Sequence, residues 1–144
     1  MKRKNGRGSK DKGKAFEREI VASILEAFPQ LSEHDILARS MGDPGLDIIL
    51  SKAARVIMPL AIEAKRVNRL ENLNIKKAMA QAKANCPPEL VPVVVYREDR
   101  HEAMVSLQII GLMRLLGINV SDESRPEILV ALGWADLLSL LGGK

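Results

Sequence analysis

Two short apolar segments of the sequence carry ionisable side chains at one end. The first begins at Asp47 and continues Ile-Ile-Leu, and the second, Leu-Ala-Ile-Glu-Ala-Lys-Arg, contains Glu63 and Lys65. Side chains alternate across a strand, so Glu63 and Lys65 share one face while Ile62 and Ala64 share the other. Because buried carboxylates are costly unless they find partners or a metal, this pattern indicates a functional site.

The chemistry that suits these residues is metal-assisted phosphodiester hydrolysis. Asp47, Glu63 and the backbone carbonyl of Ala64 offer the hard oxygen ligands that Mg²⁺ prefers, and we expect Mn²⁺ to substitute for it. Such a metal polarises the phosphate and lowers the pKa of a bound water, while Lys65 could orient the nucleophile or stabilise developing charge. The alternative is an ordinary surface Asp followed by a Glu-x-Lys pair at a strand end.

A third acid precedes this pair on a predicted helix over residues 11–28. The apolar residues of that helix, from Phe16 to Phe28, recur every four positions, and Glu17 lies on the flank of their stripe. Glu19 is two residues further round and is expected to face solvent. We therefore add Glu17 to the site as a further oxygen ligand, direct or through water. The alternative is a first-turn acid that complements the helix dipole.

The remaining sequence predicts alternating strands and helices. We expect strands over residues 36–39, 91–96 and 103–107, a hairpin of 47–50 with 56–65, and helices over 73–85, 108–116 and 128–141. The near-continuous apolar run at 91–96 is typical of a central strand in a covered sheet. This order predicts an α/β fold with a mixed sheet between helices.

Charge is distributed unevenly along the chain. The first 14 residues hold seven of the 22 Lys and Arg residues but only one, Asp11, of the 18 acidic residues. We expect residues 1–11 to form a basic flexible tail that binds polyanions by counterion release. The alternative is a terminus that only improves solubility.

Composition argues against several other classes of function. Aromatic residues make up only 3% of the chain, too few for rows of rings that stack unpaired bases. The single cysteine, Cys86, excludes an intramolecular disulfide and a cysteine-built zinc site. No apolar run is long enough to span a bilayer, so we expect no membrane partner and a cytoplasmic location, nucleoid-associated or in a host cell if the gene is viral.

Three segments resemble the PD-(D/E)XK nuclease superfamily. They are Lys-Gly-Lys-Ala-Phe-Glu-Arg-Glu from residue 12, Arg-Ser-Met-Gly-Asp-Pro-Gly-Leu-Asp from residue 39, and Ile-Glu-Ala-Lys from residue 62. They are most similar to the archaeal-type Holliday-junction resolvases, including versions encoded by viruses. The resemblance covers roughly residues 12–110 and implies a restriction-endonuclease-like central mixed β-sheet flanked by helices. We assign a nuclease core to residues 12–117, and residues 118–144, which exceed that core, to an extra C-terminal helical extension.

The resemblance also implies roles for individual residues. Its four catalytic positions fall on Glu17, Asp47, Glu63 and Lys65, and an Arg-Ser pair that leads a flexible loop falls on Arg39 and Ser40. Two departures are present: Leu46 stands where the superfamily has proline, and Asp43 is a competing acid in the loop. Basic and hydroxyl side chains near the motifs are candidate DNA contacts. They are Lys12, Lys14, Arg18, Arg39, Ser40, Arg66, Lys76 and Lys77.

The resulting expectation is a Mg²⁺-dependent endodeoxyribonuclease. The resemblance implies a homodimer that resolves four-way DNA junctions by paired cuts, since a two-fold dimer matches a symmetric junction. The alternatives are another nuclease of the superfamily, restriction-like or acting in repair, and a non-catalytic DNA-binding architectural protein.

Overall fold

The computed structural model describes residues 5–40, 42–120 and 127–144. It contains five helices, α1 to α5: Asn5–Ala27, Lys52–Ile57, Ile75–Ala84, Ile109–Leu115 and Trp134–Leu140. It contains six strands, β1 to β6: Ile36–Ala38, Ile48–Leu50, Leu60–Val67, Val91–Glu98, Met104–Gln108 and Leu129–Gly133. A single 3-10 turn at Leu70–Asn72 precedes α3. None of the helices in these ranges is long and apolar enough to cross a membrane.

The main sheet has four strands in the order β3-β4-β5-β6. Strand β3 runs parallel to β4, whereas β4, β5 and β6 pair antiparallel. Strands β1 and β2 form a separate antiparallel pair. The predicted fold class is confirmed: a mixed sheet is flanked by helices, a C-terminal helix is added, and the arrangement is consistent with a restriction-endonuclease-like fold.

The two faces of the sheet carry different layers. Leu60 and Ile62 belong to the large core with Phe16 and Ile20 of α1, whereas Val94 packs against α3 in a second cluster. Glu63 pairs with Val94 and Lys65 with Tyr96 in the β3–β4 register. Side chains at paired positions project to the same face, so Glu63 and Lys65 lie on the α3 face of the sheet.

The predicted hairpin between residues 47–50 and 56–65 is wrong. Residues 52–57 form α2, and β2 pairs with β1 instead of β3. Ser51 begins this helix, because its Oγ accepts a hydrogen bond from the Ala54 amide at 3.1 Å. The following Lys-Ala-Ala-Arg segment has high helix propensity, so it does not continue the strand.

The predicted helix over residues 128–141 is wrong in its first half. Leu129–Gly133 is the edge strand β6, and α5 begins only at Trp134. A short apolar run suits either a buried strand or a buried helix, and here pairing with β5 decides for the strand. In its described part, the extension after residue 117 is therefore a strand followed by a helix.

Helix α1 extends further toward the N-terminus than predicted. Residues 5–10, which composition assigned to a flexible tail, are helical, and residues 1–4 of that tail lie outside the described residues. At its other end, α1 is hydrogen-bonded to the start of α5 and to the last residue of the chain. Trp134 donates its indole N–H to Ser23 Oγ at 2.9 Å, and the Lys144 amide donates to the Ala27 carbonyl at 3.0 Å.

The buried face of α5 yields a first prediction. Leu137 is fully buried in the main core, so Leu137→Ala should lower the free energy of unfolding by about 2–5 kcal/mol, through lost burial and the cavity that remains. Leu140 on the same helix is 53% exposed, so Leu140→Ala should cost less than about 1 kcal/mol. Urea unfolding measures both variants, and equal losses would contradict the assigned packing of α5.

Candidate active site

Asp47 lies at the open edge of the main sheet. It directly precedes β2, and its Oδ2 accepts a hydrogen bond from the Ala64 amide of β3 at 2.8 Å. Strand β3 is the terminal strand on this side, so its outer peptide groups are not paired in a ladder. The carboxylate of Asp47 thus replaces a neighbouring strand at this position.

The carbonyl of Ala64 is directed to the same edge. The carbonyls of Pro59 and Val67, at odd positions, accept hydrogen bonds from the β4 side, from the amides of Val91 and Asp99. Since the N–H and C=O of one residue in a strand point the same way, peptide groups at even positions point away from β4. Ala64 is even, and its carbonyl therefore faces the side where Asp47 lies.

Glu63 and Lys65 are neighbours on the α3 face. Glu63 Oε1 lies 3.6 Å from Lys65 Nζ, and the Glu63 side chain is only 9% exposed, against 36% for Lys65. The second oxygen, Glu63 Oε2, is fully buried and has no hydrogen-bond partner among the described residues. A buried carboxylate oxygen without a donor is costly, so Glu63 is incompletely satisfied by the protein.

This environment raises the pKa of Glu63 from its ordinary value of 4.5 to about 7. The largest cause is burial, which disfavours the charged form, and the second is the negative charge of Asp47. Lys65 opposes both effects, while a protonated Glu63 can also donate a hydrogen bond to Asp47. Near neutral pH, Glu63 therefore favours binding a proton or a nearby cation over remaining as an unpaired carboxylate.

Glu17 approaches the site from α1, on the other face of the sheet. Its side chain is 12% exposed, whereas that of Glu19 is 48% exposed, as the helical spacing predicts. Burial raises the pKa of Glu17, Lys14 opposes that shift through a hydrogen bond, and the charge of Asp47 raises the pKa further. Asp47 therefore lies within electrostatic reach of both Glu17 and Glu63.

The three acids approach one another without converging fully. Across residues 5–40, 42–120 and 127–144, no three acidic, His or Cys side chains form a group tight enough to hold a metal ion. Asp47 is engaged by the Ala64 amide, and Glu17 is paired with Lys14 at 2.9 Å. The competing acid, Asp43, is exposed in the loop before Asp47, where its amide donates to the Ser40 carbonyl at 3.2 Å.

The candidate DNA contacts fall into three groups. Lys14, Arg18, Arg39 and Ser40 line an open depression of about 580 Å³ between α1 and the loop after β1. Lys76 and Lys77 are exposed on α3. The other two are engaged in ion pairs with Asp99. Lys12 Nζ lies 3.6 Å and Arg66 Nη2 lies 2.7 Å from the oxygens of that carboxylate.

Sequence reasoning did not predict two contacts that basic side chains make within the protein. Lys14 pairs with Glu17, a contact that the three-residue spacing on a helix could have indicated. Arg39 donates from Nε to the Leu46 carbonyl at 2.5 Å, so its guanidinium lies over its own loop. No local sequence signal indicates that contact, because it depends on how the loop closes.

Comparisons with protein-family models, with curated proteins and with solved structures found no match for the chain.

The raised pKa of Glu63 predicts a pH-dependent change in stability. Between pH 4.5 and about 7 the unfolded chain loses a proton that folded Glu63 retains, so the folded state loses stability as pH rises. Glu63→Gln removes this loss. It should be roughly 1–3 kcal/mol more stable than the wild type at pH 8, and nearly equal to it at pH 4.5.

The measurement is urea unfolding at both pH values in EDTA. Glu71→Gln serves as the matched control: the Glu71 side chain is 72% exposed in the 3-10 turn, so this variant, which keeps Glu63, should lose stability with pH as the wild type does. A difference between wild type and Glu63→Gln that is the same at both pH values would contradict the raised pKa.

Proposed function

We propose that this protein is a metal-dependent, structure-selective DNA endonuclease that resolves four-way junctions as a homodimer. The observation that carries the proposal is the position of Asp47 at the open edge of β3, where its carboxylate accepts from the Ala64 amide and lies within electrostatic reach of Glu63. Packing alone gives no reason to hold two carboxylates together there, because each raises the cost of charging the other. Lys65, two residues after Glu63 on the same strand, supplies the lysine of the Glu-x-Lys motif.

The donor set fits a hard divalent cation such as Mg²⁺. Within the described part of the chain, one buried oxygen of Glu63 has no hydrogen-bond partner, and a raised pKa favours binding of positive charge at neutral pH. Asp47, Glu63 and the Ala64 carbonyl would hold the ion, and Glu17 would contribute directly or through water. When bound, the ion supplies polarisation of the phosphate and a lowered pKa of coordinated water.

Lys65 has a separate part in this proposal. Its Nζ lies 3.6 Å from Glu63 Oε1 and its side chain remains 36% exposed, so the ammonium can reach a phosphate while Glu63 holds it in place. A cation placed there would stabilise the negative charge that develops on the phosphate oxygens. Lys65 also limits the repulsion between Asp47 and Glu63 before DNA arrives.

The choice of DNA as substrate is supported by the basic depression beside the acids. The Arg18, Arg39 and Ser40 side chains line it, and Lys76 and Lys77 add positive charge on α3. Such residues bind the phosphate backbone and carry no base sequence information, which suits recognition by shape. The choice of a four-way junction is supported by the motifs that resemble archaeal-type resolvases.

Cleavage of a labelled four-way junction is the direct test. With Mg²⁺ the wild type should make symmetric paired cuts in the junction and leave a linear duplex of the same sequence intact. Asp47→Asn keeps an oxygen that can accept from the Ala64 amide but removes the charge. Its cleavage rate should fall by about a hundredfold or more, because a metal ligand contributes several kcal/mol.

The matched control is Asp43→Asn, four residues away in the same loop, where the side chain is exposed. It should cut at nearly the wild-type rate. EDTA should abolish cutting, and Mn²⁺ should restore it. Equal cutting of the linear duplex would replace the junction assignment with another nuclease of this type. Binding without cutting of either DNA would favour an architectural protein.

The proposed dimer predicts that a heterodimer with one inactive subunit cuts only one strand of a junction. Heterodimers of wild type and Asp47→Asn, purified through two different tags, should nick a cruciform plasmid without making it linear, because each active site cuts one strand. Wild-type homodimers should give linear plasmid. Linear product from the heterodimer, or failure of the two tagged chains to purify together, would contradict paired cutting by two subunits.

A further inference from the structure

We propose that Lys14 is a positioning residue that couples Glu17 on α1 to the loop carrying Asp47, and that it does not contact DNA phosphate. This inference rests on the proposed nuclease function, and it changes the role that the sequence indicated for Lys14. The loop concerned connects β1 to β2 over residues 39–47, of which 39–40 and 42–47 are described, and is called the Asp47 loop below.

The Lys14 ammonium is already engaged by the protein. Its Nζ donates to Glu17 Oε2 at 2.9 Å and also to the backbone carbonyl of Arg39. The Lys14 side chain is only 23% exposed. An ammonium has three donors, and two of them are directed at acceptors on different elements of the fold. Binding a phosphate outside would require breaking charge-assisted hydrogen bonds that form in a partly buried setting.

The residue that Lys14 anchors also fixes the backbone next to Asp47. The Arg39 amide donates to the Asp47 carbonyl at 2.8 Å, and Arg39 Nε donates to the Leu46 carbonyl at 2.5 Å. Arg39 thus closes the Asp47 loop on itself from both its backbone and its side chain. By holding the Arg39 carbonyl, Lys14 attaches the closed loop to α1.

The shape of the loop leaves little freedom around Arg39. Gly45 has a φ of +119°, and a Cβ at that position would lie 2.8 Å from the Arg39 guanidinium carbon. This backbone conformation favours glycine, and a side chain at position 45 would also displace the guanidinium from its present position. The half-buried guanidinium therefore packs against its own loop, and the Arg39 carbonyl provides the attachment point to α1.

Electrostatics makes the same lysine important for the acids. Burial and the charge of Asp47 both disfavour a charged Glu17. Of the two cations that oppose these effects, Lys14 and Arg18, Lys14 has the larger effect because it also donates a hydrogen bond. Loss of the ammonium would remove one donor from the partly buried Glu17 carboxylate and one from the Arg39 carbonyl. We expect the Asp47 loop and Glu17 then to separate, which would misplace Asp47 relative to Glu63.

Two roles for Lys14 predict different changes in Lys14→Met, which keeps the length of the side chain and removes its charge. A phosphate contact contributes about 0.9 to the slope of log affinity against log salt, so its loss should lower that slope by about 1. A positioning residue should leave the slope of junction binding, measured in EDTA, unchanged. It should instead lower the single-turnover cleavage rate by roughly tenfold or more, since small misplacement of catalytic groups is costly.

The decisive readout is hydrogen exchange of the Asp47 loop, followed by mass spectrometry without DNA or metal. Exchange of peptides covering residues 39–47 should accelerate by roughly tenfold in Lys14→Met, because a charge-assisted anchor is lost. Lys14→Arg can donate to both acceptors and should restore slow exchange and most of the cleavage rate. The matched control is Lys52→Met, an exposed lysine at the start of α2, which should change neither quantity.

The outcomes separate this inference from the proposed function. Unchanged loop exchange in Lys14→Met, with a salt slope lower by about 1, would overturn the positioning role and make Lys14 a phosphate contact. Faster loop exchange would support positioning even if the wild type cut no DNA, in which case only the nuclease proposal would fail. If Lys14→Met does not fold, Lys14→Gln replaces it. Gln can still donate to the Arg39 carbonyl, so positioning predicts intermediate loop exchange, whereas a phosphate contact predicts wild-type exchange.

Discussion

The hydrogen bond between the Ala64 amide and the Asp47 carboxylate joins the two parts of the molecule that form the candidate site. Strand β3 is the last strand of the main sheet, and its even-numbered peptide groups have no ladder partner. An exposed strand edge usually invites pairing with another strand. Here the Asp47 side chain takes the place of a neighbouring strand, and its carboxylate binds the backbone of Ala64, between Glu63 and Lys65. The Ala64 carbonyl faces the same edge of the sheet.

That arrangement has an energetic cost that the protein only partly offsets. Burial of Glu63 and the charge of Asp47 raise its pKa to about 7, and one of its oxygens has no donor among the residues that the structure describes. Lys65 reduces the repulsion but lies 3.6 Å away and remains partly in solvent. Such a cost persists only where the surrounding structure is well packed. The large core under α1 and α5 provides that support.

Helix α1 has two functions in this architecture. Its apolar stripe, with Phe16 and Ile20, covers one face of the sheet, while Lys14 and Glu17 at the same end reach the loop that leads to Asp47. The C-terminal helix then fixes the far end of α1 through Trp134 and Ser23. The position of the site thus depends on packing along the whole helix, because a shift of α1 would move Glu17 and the loop together.

Local sequence patterns determined much of this protein. The period of the α1 stripe predicted which side Glu17 and Glu19 face, alternation in β3 placed Glu63 with Lys65, and the order of apolar segments predicted the α/β class. These inferences succeeded because each depends only on the geometry of a single helix or strand. The partner of β2, the strand character of residues 129–133 and the inward contacts of Lys14 and Arg39 were decided only by the tertiary structure. A short apolar run is compatible with either a strand or a helix, and a lysine can bind either a phosphate or a carboxylate. The choice in each case is made by groups distant in sequence, which the fold brings into contact.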